Sequence, residues 1–267
     1  MSMIRFGKKQ NNPVGMRRVV WKTPNVTADG LKIFACAVML IQSAGIVIVE
    51  NGLIDLSQYT QAELSKALAS SADLMTLAGI GSMMQIIGGL GVPIFAFLLV
   101  EGFLHTSSYR KYLLTMLLFA LLSEIPYDLA MYRKVWDFTG QNALFSMIIC
   151  LLMLYFLRMA RERKGFLSSM FQGLIVLTAV FWVSFFRMNC GLCLVLLTAV
   201  FYLFYSRNVL KTVLGVLISL LYVTGPLSFY GLWCYNEVRT DRFPKYAYYV
   251  FYPLHLLILA AVTIIFL

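Results

Sequence analysis

Charge is scarce in this chain. Only 13% of its 267 residues are Asp, Glu, Lys or Arg, against 60% that are hydrophobic, where a soluble domain carries about 25% charge. That shortage excludes a soluble globular protein and predicts an all-α, polytopic transmembrane helix bundle. Histidine is rarer still, with His105 and His255 the only two. Five cysteines include one CxxC, Cys190 and Cys193, with no second pair and no βαβ setting, so neither a metal nor a redox centre is expected. Internal repeats are lacking too, and neither half holds the paired, interrupted spans of an inverted-repeat transporter. The basic stretch containing Pro13 and Pro24 leads into no short apolar region with a small-residue cleavage site. The first span is therefore expected to be an uncleaved anchor.

What the chain has in abundance is long apolar runs. Eight candidate helices stand near 31–49, 84–104, 110–127, 142–160, 166–186, 190–205, 208–225 and 246–267, at or near the roughly 20 residues that cross a bilayer. This leaves a basic cytoplasmic tail over 1–30 and a single transmembrane domain over 31–267. With the N-terminus inside, fifteen Lys and Arg fall inside and seven, at 66, 133, 134, 187, 239, 242 and 245, outside. That bias follows the positive-inside rule and puts both termini in the cytoplasm. Merging the fifth and sixth spans would send Arg207 and Lys211 outside. The net charge of +10 then serves topology and contact with lipid headgroups, and gives no reason to expect nucleic acid as a partner.

The outer loop, 50–83, holds Thr60 and Glu63 at capping-box spacing, followed by Leu64, Ala67, Leu68 and Ala72 at helical spacing. An amphipathic helix is expected there, lying along the interface as a lid or simply packing on the bundle.

The candidate site groups are ionisable residues inside apolar sequence. Glu101 and His105 lie four apart in VPIFAFLLVEGFLHTSSYRKY, on one helix face. A charge at membrane depth costs roughly 2.5–3.5 kcal/mol on insertion scales, so the pair points to function, unless it reaches the interface and only fixes packing. Glu124 and Asp128, with Pro126 between them, make a second acidic pair near the outer mouth, where Gln141 and Asn142 open the fourth span. Helix capping would account for them equally. Tyr249, Tyr252 and His255 recur every three residues in the last span. A neutral imidazole can deprotonate an amine or hydroxyl attacking an activated carbonyl, and a carboxylate can orient it. Arg110 and Lys111 follow His105 and suit a phosphate-rich donor. The same groups also suit a proton relay in a coupled carrier.

The blocks LKIFACAVML (31–40), PIFAFLLVEGFLHT (93–106), KYLLTMLLFALLSEIPYDLA (111–130), FYLF (201–204) and KYAYYVFYPLHLLIL (245–259) together resemble the TraX family of membrane proteins, named for conjugal-transfer pilin acetylation. The resemblance implies a membrane acetyltransferase in a bacterial cytoplasmic membrane, using acetyl-coenzyme A and an amine, a pilin-like peptide or a glycan as acceptor. Glu101, His105, Glu124, Asp128, Asn142, Tyr252 and His255 match polar positions of the family pattern, so that His105 is expected as base, Glu101 as its orienter and the other five toward the acceptor, with the basic Arg110 and Lys111 beside His105 toward the donor. Five positions depart from the pattern. Gln42 and Ser43 stand where an acid and a base are expected, Gly89 and Thr115 where arginines are, and Asn189 where an aspartate is. The family's first-span histidine is the expected general base, so its loss points to weakened, altered or absent catalysis. A non-catalytic relative binding donor, lipid or a membrane partner is the rival reading, and the carrier is the third.

Overall fold

The computed structural model describes residues 25–161, 165–236, 244 and 246–267; most of the basic tail and the charges at 239, 242 and 245 lie outside them. Among the described residues the only β pairing is two isolated bridges, so the bundle is all-α. Helix α1 (Ala28–Ala44) begins at Thr27, whose hydroxyl accepts the Gly30 N–H at 3.2 Å and so satisfies one of the orphan donors of a helix start. It continues as a π-helical stretch, Gly45–Ile54, giving one apolar unit of 27 residues. Then come α2 (Gln61–Ser70), α3 (Ala72–Gly88), α4 (Gly91–His105), α5 (Tyr109–Tyr132) and α6 (Ala143–Arg161). The remainder are α7 (Phe166–Phe185), α8 (Gly191–Leu203), α9 (Asn208–Ser219), α10 (Ser228–Trp233) and α11 (Ala247–Phe266).

The capping box at Thr60 forms: Glu63 donates its backbone N–H to the Thr60 hydroxyl at 3.3 Å, and its carboxylate accepts the Thr60 N–H at 2.9 Å. The Thr60 N–H and hydroxyl, both donating to it, hold the Glu63 carboxyl below its usual range. The outer loop, however, is shorter than expected. Residues 72–83 belong to α3, which packs along α1 because Gly45 and Gly81 let the backbones approach: a Cβ on Gly45 would meet Met84 at 2.7 Å. The glycines that weaken the hydropathy signal are the residues that permit the contact.

Among the described residues six helical units are long and apolar enough to cross a membrane. Helix α8, with 13 residues, spans about 20 Å at 1.5 Å per residue, yet it joins the two ends of the bundle. Asn189 before it donates to the Gln141 carbonyl at 3.0 Å, and Tyr205 after it donates to Glu101 at 2.9 Å. Its brevity is tolerable because it is buried, with Leu194, Val195, Leu197 and Phe201 in the core against α4. The outward helices do the opposite. Leu114, Leu118, Leu121 and Leu122 of α5, and Leu167, Leu174, Leu177 and Phe181 of α7, are exposed, as suits a hydrocarbon solvent.

The seventh expected span, 208–225, does not cross. Helix α9 turns at 220–227 and returns as α10: Trp233 Nε1 donates to Thr212 Oγ1 at 3.3 Å, Gly215 abuts Phe229, and Gly225 abuts Ser219. The hairpin tip rests on the interruption between α3 and α4, where a Cβ on Gly89 would meet Thr224 and Tyr222 at 3.0 Å. Below α10 the chain pairs with its own beginning, Val26 N–H to the Cys234 carbonyl and Asn236 N–H to the Val26 carbonyl, both 3.0 Å. Helix α11 then runs parallel to α1. Lys32 Nζ sits 5.1 Å over the Tyr248 ring at one end, Thr263 donates to the Val47 carbonyl at 3.3 Å further along, and Leu267 lies against Gly52.

The two ends of the described chain, Asn25 and Leu267, are therefore on opposite sides of the bundle, which corrects the expectation that both termini share a side. Hydropathy cannot distinguish a run that crosses from one that turns back at a glycine-lined tip. Among the described residues Asn236 stands at the Val26 end, and Arg133 at the far end, where its side chain donates to the Asn51 carbonyl.

Candidate functional site

A cavity of about 580 Å³ runs between α1, α4, α5, α6, α8 and α11, within the roughly 300–1,000 Å³ of small-molecule sites. At the Val26 end its wall carries Lys32, His105 and Lys111, and deeper it carries Gln42, Ser43, Asn189 and Tyr252. The mouth thus carries two lysines against Asp29, and the interior is uncharged and mostly apolar with a few polar side chains.

His105 closes α4. Its Nδ1 is 2.9 Å from the Glu101 carbonyl and 3.6 Å from the Glu101 carboxylate, whose other oxygen accepts the Tyr205 hydroxyl at 2.9 Å. A proton on Nδ1 serves the carbonyl, leaving Nε2 as the ring's acceptor. The Glu101 side chain is buried, whereas that of His105 is 50% exposed. The ring is therefore held chiefly by the Glu101 backbone carbonyl, at the mouth of the cavity and not in its centre. Lys32 at the same mouth pairs with Asp29 at 3.1 Å. Lys111 is on the wall, while Arg110 is exposed and off it.

The outer acidic pair is occupied in holding α5 to its neighbours. Asn142 donates to the Glu124 carboxylate and to the Ala120 carbonyl, the latter at 3.0 Å, and its own side-chain oxygen accepts the Leu144 N–H at 3.0 Å. Asp128 accepts the Asp137 N–H at 2.9 Å. Asp137 pairs in turn with Lys134 at 2.8 Å and accepts the Thr139 N–H at 2.7 Å, contacts that hold its carboxyl at about 2. Glu124, Asp128 and Asn142 lie outside the cavity wall, whereas Tyr252 is on it, its hydroxyl accepting the Ala143 N–H at 3.3 Å.

Of the five departing positions, Gln42, Ser43, Thr115 and Asn189 line the cavity and Gly89 does not. An arginine at Gly89 would collide with the hairpin tip. What the sequence left unseen is a pairing. Ser43 Oγ stands 3.3 Å from His255 Nε2 across 212 residues, and His255 Nδ1 is 2.9 Å from the Phe251 carbonyl. Both residues attracted attention singly, and nothing in one sequence says that α1 and α11 are neighbours.

The sequence model of the TraX family, described as TraX protein, matches residues 27–263. The chain belongs to the TraX family. A similar protein is the probable fimbrial assembly protein FimC, serogroup H1, of Dichelobacter nodosus, 25% identical over 214 residues, which are 67% of this chain and 82% of that one. No solved structure matches. In this TraX chain, then, four of the five positions expected to depart from the family pattern share one cavity, and one of them, Ser43, contacts His255.

Proposed function

We propose that this TraX-family protein is a membrane acyltransferase that takes an acetyl group from acetyl-coenzyme A and passes it to an amine or hydroxyl of a pilin-like peptide or glycan. The observation that carries the reading is the cavity, with Lys32 and Lys111 at its mouth and an uncharged, mostly apolar interior that holds a few polar side chains. The donor's phosphates suit Lys32 and Lys111, and the pantetheine arm suits the apolar wall leading inward. The base moves from His105, half-exposed at the mouth, to a group inside, where water is excluded and electrostatic interactions are stronger. His105 keeps a donor-docking role, its Nε2 accepting from an N–H or O–H of the donor and its ring held by the Glu101 carbonyl. The Val26 end faces the cytoplasm of a bacterial inner membrane, the side that holds the donor, in line with its basic loops. The relative's description as a fimbrial assembly protein makes a fibre subunit the acceptor class to try first.

The test is transfer of labelled acetyl from acetyl-coenzyme A by the full chain in lipid nanodiscs to a panel of amines, peptides and glycans. Label leaving the donor is expected, with donor affinity reduced about tenfold in Lys111→Ala. Donor that neither binds nor loses its acetyl group removes the reading. Gln42 and Ser43, standing where an acid and a base are expected, favour a non-catalytic relative as second reading, and it would show donor binding without transfer.

A further inference from the structure

We propose that Ser43 is a nucleophile activated by His255, and that it carries the acyl group covalently between donor and acceptor; this rests on the acyl-transfer reading above. Helical serines usually return their hydroxyl to a carbonyl three or four residues back, as Ser65, Ser70, Ser123 and Ser219 do here. Ser43 instead reaches across to another helix. Its side chain is on the cavity wall although the residue is only 6% exposed, so a ligand in the cavity meets it out of bulk water.

The imidazole is set for the task. With its Nδ1 proton on the Phe251 carbonyl, Nε2 presents a lone pair and Ser43 donates to it. The ring is fixed by stacking on Phe251, with centroids 5.0 Å apart, and by the edge-on Tyr252 ring at 5.6 Å. A nucleophile within reach of a base, and a base oriented by a third group, is the arrangement that makes a serine reactive, and the contact is often loose before substrate binds. The Gln42 and Asn189 amides, on the same wall, are the donors available to a tetrahedral oxyanion.

In the first half-reaction Ser43 Oγ bonds to the thioester carbonyl carbon as its proton passes to His255 Nε2. The carbon–sulfur bond then breaks, and the imidazolium returns that proton to the leaving thiolate, releasing coenzyme A. In the second half the acceptor nitrogen or oxygen attacks the acyl carbon, His255 takes its proton, the Oγ–carbon bond breaks, and the proton returns to Ser43.

The full chain in nanodiscs is incubated with acetyl-coenzyme A, quenched in acid and mapped by peptide mass spectrometry. In parallel it is treated with a fluorophosphonate, which labels an activated serine without any donor or acceptor. Acetyl and phosphonate adducts on Ser43 are expected, both reduced at least tenfold in His255→Gln, absent in Ser43→Ala and kept in Ser65→Ala. Ser43→Cys gives a second check, since its adduct would be a thioester cleaved by neutral hydroxylamine. Phosphonate labelling that needs His255, without donor turnover, upholds the nucleophile and removes the acetyl-coenzyme A reading. Transfer at the wild-type rate by a folded Ser43→Ala leaves that reading standing and overturns the covalent relay. No adduct on Ser43 from either reagent overturns the nucleophile itself.

Discussion

The two histidines are held in the same way and placed differently. Each donates from Nδ1 to the carbonyl four residues back in its own helix, at 2.9 Å in both cases. Each therefore has Nε2 as its acceptor. His105 has this nitrogen at the half-exposed mouth beside Glu101, while His255 is buried and its Nε2 meets Ser43. Residue type and the Nδ1 contact are thus equivalent at the two sites, and depth and the facing helix separate them.

The largest effect that would break this contrast is on turnover. His255→Gln is expected to lower single-turnover acetyl transfer by about 10²–10⁴, the usual worth of a general base, whereas His105→Gln is expected to raise the donor KM about tenfold with little change in kcat. A reversal of that pattern, read from transfer kinetics at varied donor, would return the base to His105. A second prediction tests whether the hairpin tip keeps the core behind both sites in place. Gly89→Arg is expected to lower stability by about 1–3 kcal/mol, the common cost of overpacking, seen as a lower Tm in detergent. An unchanged Tm would mean that the tip does not rest on Gly89.

The smallest effect comes from a carboxylate remote from both histidines. Asp137, held at about 2 chiefly by Lys134 and also by Thr139, has a folded value below its unfolded one near 3.8. Its contribution is present above pH ~4 and fades as pH falls toward 2. Asp137→Asn should therefore lower Tm slightly at pH 7, converge with wild type as pH falls through about 2 and leave both kinetic parameters alone. A change in donor KM would tie the α5–α6 loop to the cavity.

Helix content and the capping box at Thr60 were legible in the sequence, because a lack of charge, apolar runs and local hydrogen-bond spacing are properties of neighbouring residues. Glu101 beside His105 was legible for the same reason, being one helical turn. The re-entrant α9–α10 hairpin was not, since a 208–225 run that turns on Gly225 has the hydropathy of one that crosses. Glu124 and Asp128 read equally as acceptor site or helix fastening, and only the positions of Asn142 and of the Asp137 backbone decided that both are engaged outside the cavity.

By itself the sequence determined an all-α membrane bundle of the TraX family with basic loops biased to one side, because composition and short-range spacing fix solvent and secondary structure. Tertiary structure alone decided that the described ends lie on opposite sides, that Lys32, Lys111 and His105 share a cavity with Gln42 and Asn189, and that Ser43 faces His255. Those facts depend on which helices adjoin, and the parallel contact of α1 with α11 brings together residues that no local pattern in the chain connects.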